Sequence, residues 1–371
     1  MEPCITALEL VKSNLGFYAP LSRDAKRASP ESSLSLEITP LEYPGERACE
    51  KYALVSCTKA LEFDPIADIY ATTQMIVEHS IPSKYKASFG DARNGILRSI
   101  QRAIHKKSLD DLKVALAAWN ENMVELKAKK VFAPCEFSGP AASYHMVSHV
   151  LEQAYSRSVA PESNLLNVYE GFSNNVYGEV KHNFVNTIIQ EARIKPNHVF
   201  VDMGSGIGNV VLQVAAQCLC DTYGIEVSDN PAKLAAKQKK EFISRMSRYY
   251  AKPCGRITLK HSDFLEDAEM HEVIKTADVI FVNNYAFNAE LNQNILAKFL
   301  DLKEGAVVIS LRSFLPVDRP TARSSRRSNA IESIFTVKEH YFGRDCVSWM
   351  NEGGQYFIHT VDRKQLAKRY K

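Results

Sequence analysis

Three carboxylates and one amide, Asp202, Glu226, Asp263 and Asn283, each stand at the end of a short apolar run. Asp202 closes the run from His198 to Val201 and opens the turn Asp202-Met203-Gly204-Ser205-Gly206-Ile207-Gly208. Glycine at three alternate positions lets the backbone take positive φ and lets a ligand approach the main chain. A dinucleotide-binding turn spaces its glycines as G-x-G-x-x-G and has no acid at the strand end, because a pyrophosphate must sit on the next helix N-terminus. Asp202 would repel phosphate and suits a cationic or hydroxyl-bearing ligand instead. S-adenosylmethionine offers both an ammonium and a sulfonium.

Glu226 follows Asp202 at a spacing that suits a carboxylate taking both hydroxyls of a ribose. Asp263 can accept from an adenine amine, and Phe264 offers a face for stacking. Asn283-Asn284-Tyr285-Ala286-Phe287 is the candidate reaction centre. Methylating an amine requires the neutral base, whereas a lysine in water has a pKa of about 10.4. An asparagine carbonyl can orient the amine and aromatic walls disfavour its charge, while a carboxylate would hold the proton on. Each residue alone also reads as an ordinary loop residue. Four strand ends in register are what carry the site.

Positioning them requires a parallel sheet, and the chain from Lys195 onward alternates strand and helix as a doubly wound α/β fold does. Strands are expected near 199–201, 222–227, 256–260, 278–283 and 306–311, with an antiparallel edge pair over 333–342 and 355–360. Asp229-Asn230-Pro231 caps a long basic helix reaching about Tyr250. A helix over about 180–193 precedes the sheet. Upstream, helices are expected from Asp64 to Ile81-Pro82, over about 92–106, and from Ser108, where Leu109, Leu112, Leu116, Trp119, Met123 and Leu126 recur at helical spacing. These make an all-α N-terminal domain. The organisation is thus a mixed segment over 1–60 with a flexible polar stretch from Ser22 to Ser35, a helical domain and connector over 61–166, and a catalytic domain over 167–371.

A chain of 371 residues with 24% charged and 45% hydrophobic residues has room for such a core. A net charge of +3 does not by itself imply a polyanion partner. The eight cysteines show no C-x-x-C pair, which fits free thiols in a reducing compartment. No targeting signal or membrane span is apparent, so a cytosolic or nuclear location is the default. His145 and His149 lie four apart without the glutamate of a zinc protease motif, and no metal is expected.

The residues from Tyr169 to Arg363 resemble one family, the disruptor-of-telomeric-silencing histone methyltransferases, which lack a SET domain. The likeness rests on Val-Tyr-Gly-Glu (176–179), the turn block over 200–216, Tyr-Gly-Ile-Glu (223–226), Pro-Ala-Lys (231–233), Asp-Phe-Leu (263–265), Phe-Val-Asn-Asn-Tyr-Ala-Phe-Asn (281–288), Val-Ser-Trp (347–349) and the block over 356–363, in order. The helical N-terminal region is similar to that of fungal members. The resemblance implies a class I S-adenosylmethionine-dependent fold, methylation of histone H3 lysine 79 on nucleosomes, a nuclear location, and roles in chromatin regulation, telomeric silencing and the DNA damage response. It implies that Tyr177, Gly178, Glu179 and Val180 close over the methionine part of the cofactor. Phe200, Val201, Asp202, Met203, Gly204, Ser205, Gly206, Ile207, Gly208 and Asn209 would form its turn. Glu226 would hold the ribose, Asp263 and Phe264 the adenine, and Phe287 a wall of the adenosine pocket. Asn283 would act beside the transferring methyl, with Phe172, Trp349 and Tyr356 along the lysine channel. Met203, Asn209, Tyr285 and Gly171 depart mildly from the animal pattern.

For partners, Arg312, Arg319, Arg323, Arg326 and Arg327 fall in a loop with a single acid, Asp318. Guanidinium groups bind carboxylates and phosphates bidentately, and by resemblance Arg323, Arg326 and Arg327 are candidates for the acidic patch of the histone octamer. Ubiquitylated histone H2B is a further partner to consider. The C-terminal stretch 363–371 and the helix with Lys233, Lys237, Lys239, Lys240, Arg245 and Arg248 could meet DNA phosphates. The competing classes are a nucleosome-binding module with a vestigial cofactor fold, a methyltransferase of another amine, and a nicotinamide dehydrogenase, the last disfavoured by Asp202 and the glycine spacing.

Overall fold

The computed structural model of the chain describes residues 4–22, 36–60, 62–91, 93–132, 141–167, 178–315 and 334–364. They fall into two compact units, Met1–Pro161 with Lys240–Pro253, and Glu162–Lys239 with Cys254–Lys371. The stretch from Ser22 to Ser35 lies, apart from Ser22, outside the described residues.

The first unit contains α1 (Ala7–Ser13), β1 (Tyr18–Pro20), β2 (Ile38–Glu42), β3 (Cys49–Ala53), β4 (Val55–Cys57), α2 (Pro65–His79), α3 (Ser83–Phe89), α4 (Gly95–Lys106), α5 (Leu109–Ala128) and α6 (Tyr144–Ser158). Asp64 caps α2 by accepting from Ile66 and Ala67, and Ser108 caps α5 by accepting from Asp111. The apolar stripe of α5 is core: Leu112, Leu116, Trp119, Met123 and Leu126 are buried, and Trp119 Nε1 donates to the Glu42 carbonyl at 3.1 Å.

Over 61–166, the stretch expected to be all-α, the named elements of this unit are the helices α2–α6, and its strands fall in the mixed segment 1–60. β1 pairs with β4 and β2 with β3, both antiparallel, and β3 alternates exposed Cys49 and Lys51 with buried Glu50 and Tyr52. Helix α6 lies inside the expected connector. Its buried face mixes Met146, Val147, Val150 and Ala154 with His149, Gln153 and Arg157, so its hydrophobic period is interrupted.

Those polar groups belong to a buried ionic cluster. Arg157 Nη2 contacts Glu50 Oε1 (3.0 Å) and Asp68 Oδ2 (2.6 Å), and Arg245 Nη1 contacts Glu50 Oε2 (3.1 Å). Arg245 Nε also pairs with Glu241 Oε1 at 2.7 Å. The hydroxyls of Tyr43 and Tyr52 donate to Glu50 and Asp68, each at 2.8 Å. Arg245 is therefore not a solvated contact for DNA: it is fully buried, because Glu50 and Glu241 stand ready to pair with it. His149 is buried beside Thr72, and burial holds its imidazole neutral with a pKa down to about 4.

The second unit is the doubly wound fold expected. Its elements are α7 (His182–Glu191), β5 (Val199–Met203), α8 (Asn209–Cys218), β6 (Asp221–Glu226), α9 (Asp229–Ser244, of which residues to Lys239 lie here), β7 (Ile257–His261), α10 (Ala268–Thr276), β8 (Val279–Val282), α11 (Ala289–Lys298), β9 (Val307–Ser310), β10 (Phe335–Phe342) and β11 (Gly354–Val361). Seven strands run in the order β10-β11-β9-β8-β5-β6-β7, parallel from β9 to β7, with β11 antiparallel to β9 and β10. Successive residues of β5 enter opposite cores. Phe200 packs with Phe184, Ile188 and Val214 from α7 and α8, while Val201 and Met203 pack with Ile274 and Ile295 from α10 and α11. Strands covered on both faces read as continuous apolar runs. Chain order reverses at β5, which lies between β6 and β8, and that is where such sheets bind ligands.

Candidate active site

Beyond the carboxyl ends of β5, β6, β7 and β8 lies a cavity of about 610 Å³, a size typical of small-molecule sites. Its wall brings together Gly178, Glu179, Val180, Asp202, Gly204, Ser205, Gly206, Ile207, Asn209, Glu226, Asp263, Phe264, Asn283 and Phe287, all within the second unit.

The turn after β5 holds Gly204, Gly206 and Gly208 at φ of 87°, 53° and 87°. At Gly208 a Cβ would also stand 3.0 Å from Leu259 Cδ1, so both conformation and space require glycine there. The turn's amides are committed internally. Gly204 and Ser205 N–H donate to Ile225 O (2.9 and 3.0 Å), Gly206 N–H to Glu226 Oε2 (2.8 Å) and Gly208 N–H to Ser205 O (2.8 Å). None of these four is left to cradle a pyrophosphate.

Asp202 is 2% exposed, and its Oδ1 has no hydrogen-bond partner among the described residues. Burial, and next Glu226, hold its carboxyl well above the usual carboxylate range. An orphaned buried carboxyl calls for a partner, and at a cavity wall a ligand cation or donor supplies one. Glu226 is fixed by accepting from Ser228 N–H (2.7 Å) and Gly206 N–H (2.8 Å), one bond per oxygen, and each oxygen keeps acceptor capacity for a diol. Asp263 Oδ1 accepts from Leu265 N–H at 2.8 Å, and Phe264 beside it is buried in the wall. The arrangement fits a nucleoside with a cationic tail.

Asn283 Nδ2 donates to the Gly178 carbonyl at 3.1 Å, which leaves Oδ1 for a substrate donor. Gly178 is pressed between that amide and an indole: a Cβ on it would stand 2.7 Å from Trp349 Cε3. Trp349 lies 5.4 Å from Tyr285, ring to ring. The chain around Gly178 is tied to the Trp349 loop by Ser348 N–H to Glu179 O, Glu179 N–H to Ser348 Oγ and Lys181 N–H to Cys346 O, each 2.9 Å.

Not every expected site residue faces the cavity. Phe200, Val201 and Met203 are buried in β5, and Gly208 caps α8; these four shape the turn from behind. Tyr356, expected along the lysine channel, lies on the inward face of β11. It is 2% exposed on β11, packed edge-on against Phe184 at 5.2 Å and beside His340, and burial, with Glu191 next, pushes its hydroxyl up to about 12. The inward face of β11 puts it in the core. Phe172, Tyr177, Arg323, Arg326 and Arg327 lie outside the described residues. The cavity is also lined by Leu165, Leu166 and the stretch 227–231, which in the sequence read as connector, strand end and helix cap. The position of that cap after the second strand was the available signal.

A family model described as histone methylation protein DOT1 matches residues 155–361. A protein of Emericella nidulans is 37% identical over 331 residues, covering 88% of this chain and 64% of its own length. One of Yarrowia lipolytica is 36% identical over 319 residues, covering 85% and 64%. Both are named histone-lysine N-methyltransferase, H3 lysine-79 specific. The chain thus spans about 64% of the length of these relatives. Among solved structures, an O-methyltransferase of Bacillus cereus in complex with SAH overlaps at a TM-score of 0.36 with 13% identity, covering 57% of this chain and 90% of that one, a likeness too weak to carry an argument.

Proposed function

The chain belongs to the histone methylation protein DOT1 family, and from that premise we propose that it transfers methyl groups from S-adenosylmethionine to lysine 79 of histone H3 in nucleosomes. The observation that carries the reading is the orphaned Asp202 carboxyl in a wall that also presents Glu226, Asp263 and Asn283. S-adenosylmethionine supplies an activated methyl group when bound. Asp202 meets the cationic methionyl end, Glu226 takes the ribose hydroxyls, Asp263 and Phe264 take the adenine edge and face, and Phe287 closes the wall. Glu179 and Val180, with Tyr177 before them, cover the methionyl part. Asn283 Oδ1 accepts from the target amine and aims its lone pair, while Tyr285 and Trp349 exclude water around it.

Nucleosomes are the partner, which implies a nuclear location. Arg323, Arg326 and Arg327 are the candidates for contact with the octamer acidic patch that the family resemblance suggests, with ubiquitylated H2B as a further contact. Exposed lysines of α9, such as Lys233 and Lys237, add phosphate contacts that weaken with salt. The test is transfer from labelled S-adenosylmethionine to intact nucleosomes and to free H3, with Asn283→Ala as control. Label on nucleosomal H3 that vanishes in the control supports the reading. No label on either substrate, with the cofactor still bound, turns the chain into a binding module.

A further inference from the structure

The amide beside Asn283 is fully buried. Asn284 Oδ1 accepts from the N–H groups of Leu311 (3.0 Å) and Arg312 (2.8 Å), and its Nδ2 donates to Arg312 O (3.0 Å) and Asn292 Oδ1 (2.8 Å). That is the full capacity of a carboxamide. Ser310 Oγ donates to the same Arg312 carbonyl at 2.8 Å. The Arg312 backbone is therefore bolted to the end of β8, although its side chain is exposed. Its guanidinium carbon sits 5.1 Å from the centre of the Tyr285 ring. Tyr285 packs on Trp349, Trp349 on Gly178, and the Gly178 carbonyl holds Asn283. A cation carried on a fixed backbone thus stands at the outer end of a short contact chain that ends at the reaction centre. Among the described residues its guanidinium has an aromatic neighbour and no carboxylate partner.

Resting on the function proposed above, we infer that Arg312 selects the neutral form of the target amine. Its charge disfavours a protonated lysine beside the packed Tyr285–Trp349 pair, so the ammonium gives its proton to solvent water and the lone pair so freed is available to the methyl carbon. No bond to carbon changes in that step. A like charge lowers the pKa of a nearby amine, and aromatic walls strengthen the effect by desolvation. The other groups that titrate here come from several elements. Tyr285 lies under the guanidinium, and Glu179 and Asp202 are in the cavity wall. On the Trp349 loop are Arg344, Glu352 and Asp345, the last paired with Lys181. His359 on β11, next to Ser313, is held neutral by burial with a pKa down to about 4. Arg312 is a positioning residue in this account, since it acts on the amine without touching the reacting atoms.

The test compares wild type, Arg312→Gln and Arg312→Lys on nucleosomes at saturating substrate, because kcat reports groups in the bound complex. With the charge removed, the acid limb of kcat moves up by about one pH unit, so Arg312→Gln is about tenfold slower near neutral pH and recovers in alkali, while Arg312→Lys keeps the wild-type limb. Calorimetry of nucleosome binding in two buffers of different ionisation heat gives a second readout: Arg312→Gln releases fewer protons. An unmoved limb, or a loss confined to KM that is independent of pH, overturns the inference and makes Arg312 a nucleosome contact. An inert wild type instead sinks the proposed function on which it rests.

Discussion

Both units bury carboxylates, and they treat them in opposite ways. In the first, Glu50 and Asp68 are surrounded by Arg157, Arg245, Tyr43, Tyr52 and Gln153, in hydrogen bonds and ion pairs of ordinary length. Burial is the largest single influence and raises both carboxyls, but Arg157 with Arg245 and Tyr43 at Glu50, and Arg157 with His149 at Asp68, together outweigh it, and both sit below the usual range. In the second unit, Asp202 is buried as deeply with no cation beside it among the described residues, and its carboxyl is driven up. A closed cluster fixes structure. An incomplete one marks a place where something else completes it.

The largest expected effect breaks the closed cluster. Glu50→Gln leaves Arg157 and Arg245 buried without their shared partner and should cost about 3–5 kcal/mol in denaturant unfolding of the full chain. Asn283→Ala acts on the open site alone: kcat on nucleosomes should fall about 100-fold, about 2.7 kcal/mol in the barrier, while S-adenosylmethionine affinity changes less than about twofold. Acid then separates the two regions by sign. The folded pKa values of Glu50 and Asp68 are depressed, so their stabilisation is present above the unfolded carboxylate range near about 4 and is lost as pH falls through and below it. Asp202 is raised, so its ionisation opposes folding as pH climbs past the same range; Asp202→Asn should therefore steepen the net loss of stability on acidification, read by thermal unfolding from about pH 7 to about pH 3. The smallest effect is at the surface. Lys237 pairs with Glu162 with both half-exposed, and Lys237→Gln should change stability by less than about 0.5 kcal/mol.

The parallel sheet was legible because each of its strands is short, apolar and closed by a turn former or an acid, and because β5 is followed by glycines that little else explains. The cofactor wall followed, since ligand groups in this architecture sit at strand ends. Three features were not legible, for physical reasons. Arg245 counted as a basic helix residue because its partner Glu50 is 195 positions away in sequence, and charge patterns carry no information about such pairing. Helix α6 was hidden by the same cluster, which replaces apolar residues on its buried face with His149, Gln153 and Arg157. Asn284 looked like a turn residue, and only the four bonds it makes to β9's end and α11 separate it from its neighbour Asn283.

The most direct test of the contrast is Asp202→Asn with two readings taken together, unfolding free energy of the ligand-free protein and calorimetric affinity for S-adenosylmethionine. Relieving an orphaned buried carboxyl should raise stability by about 1–2 kcal/mol, while losing the charged partner of a cationic ligand should weaken binding about 10–100-fold. A variant that is less stable and binds as tightly as wild type would contradict the account, because Asp202 would then be completing the fold and not awaiting a ligand.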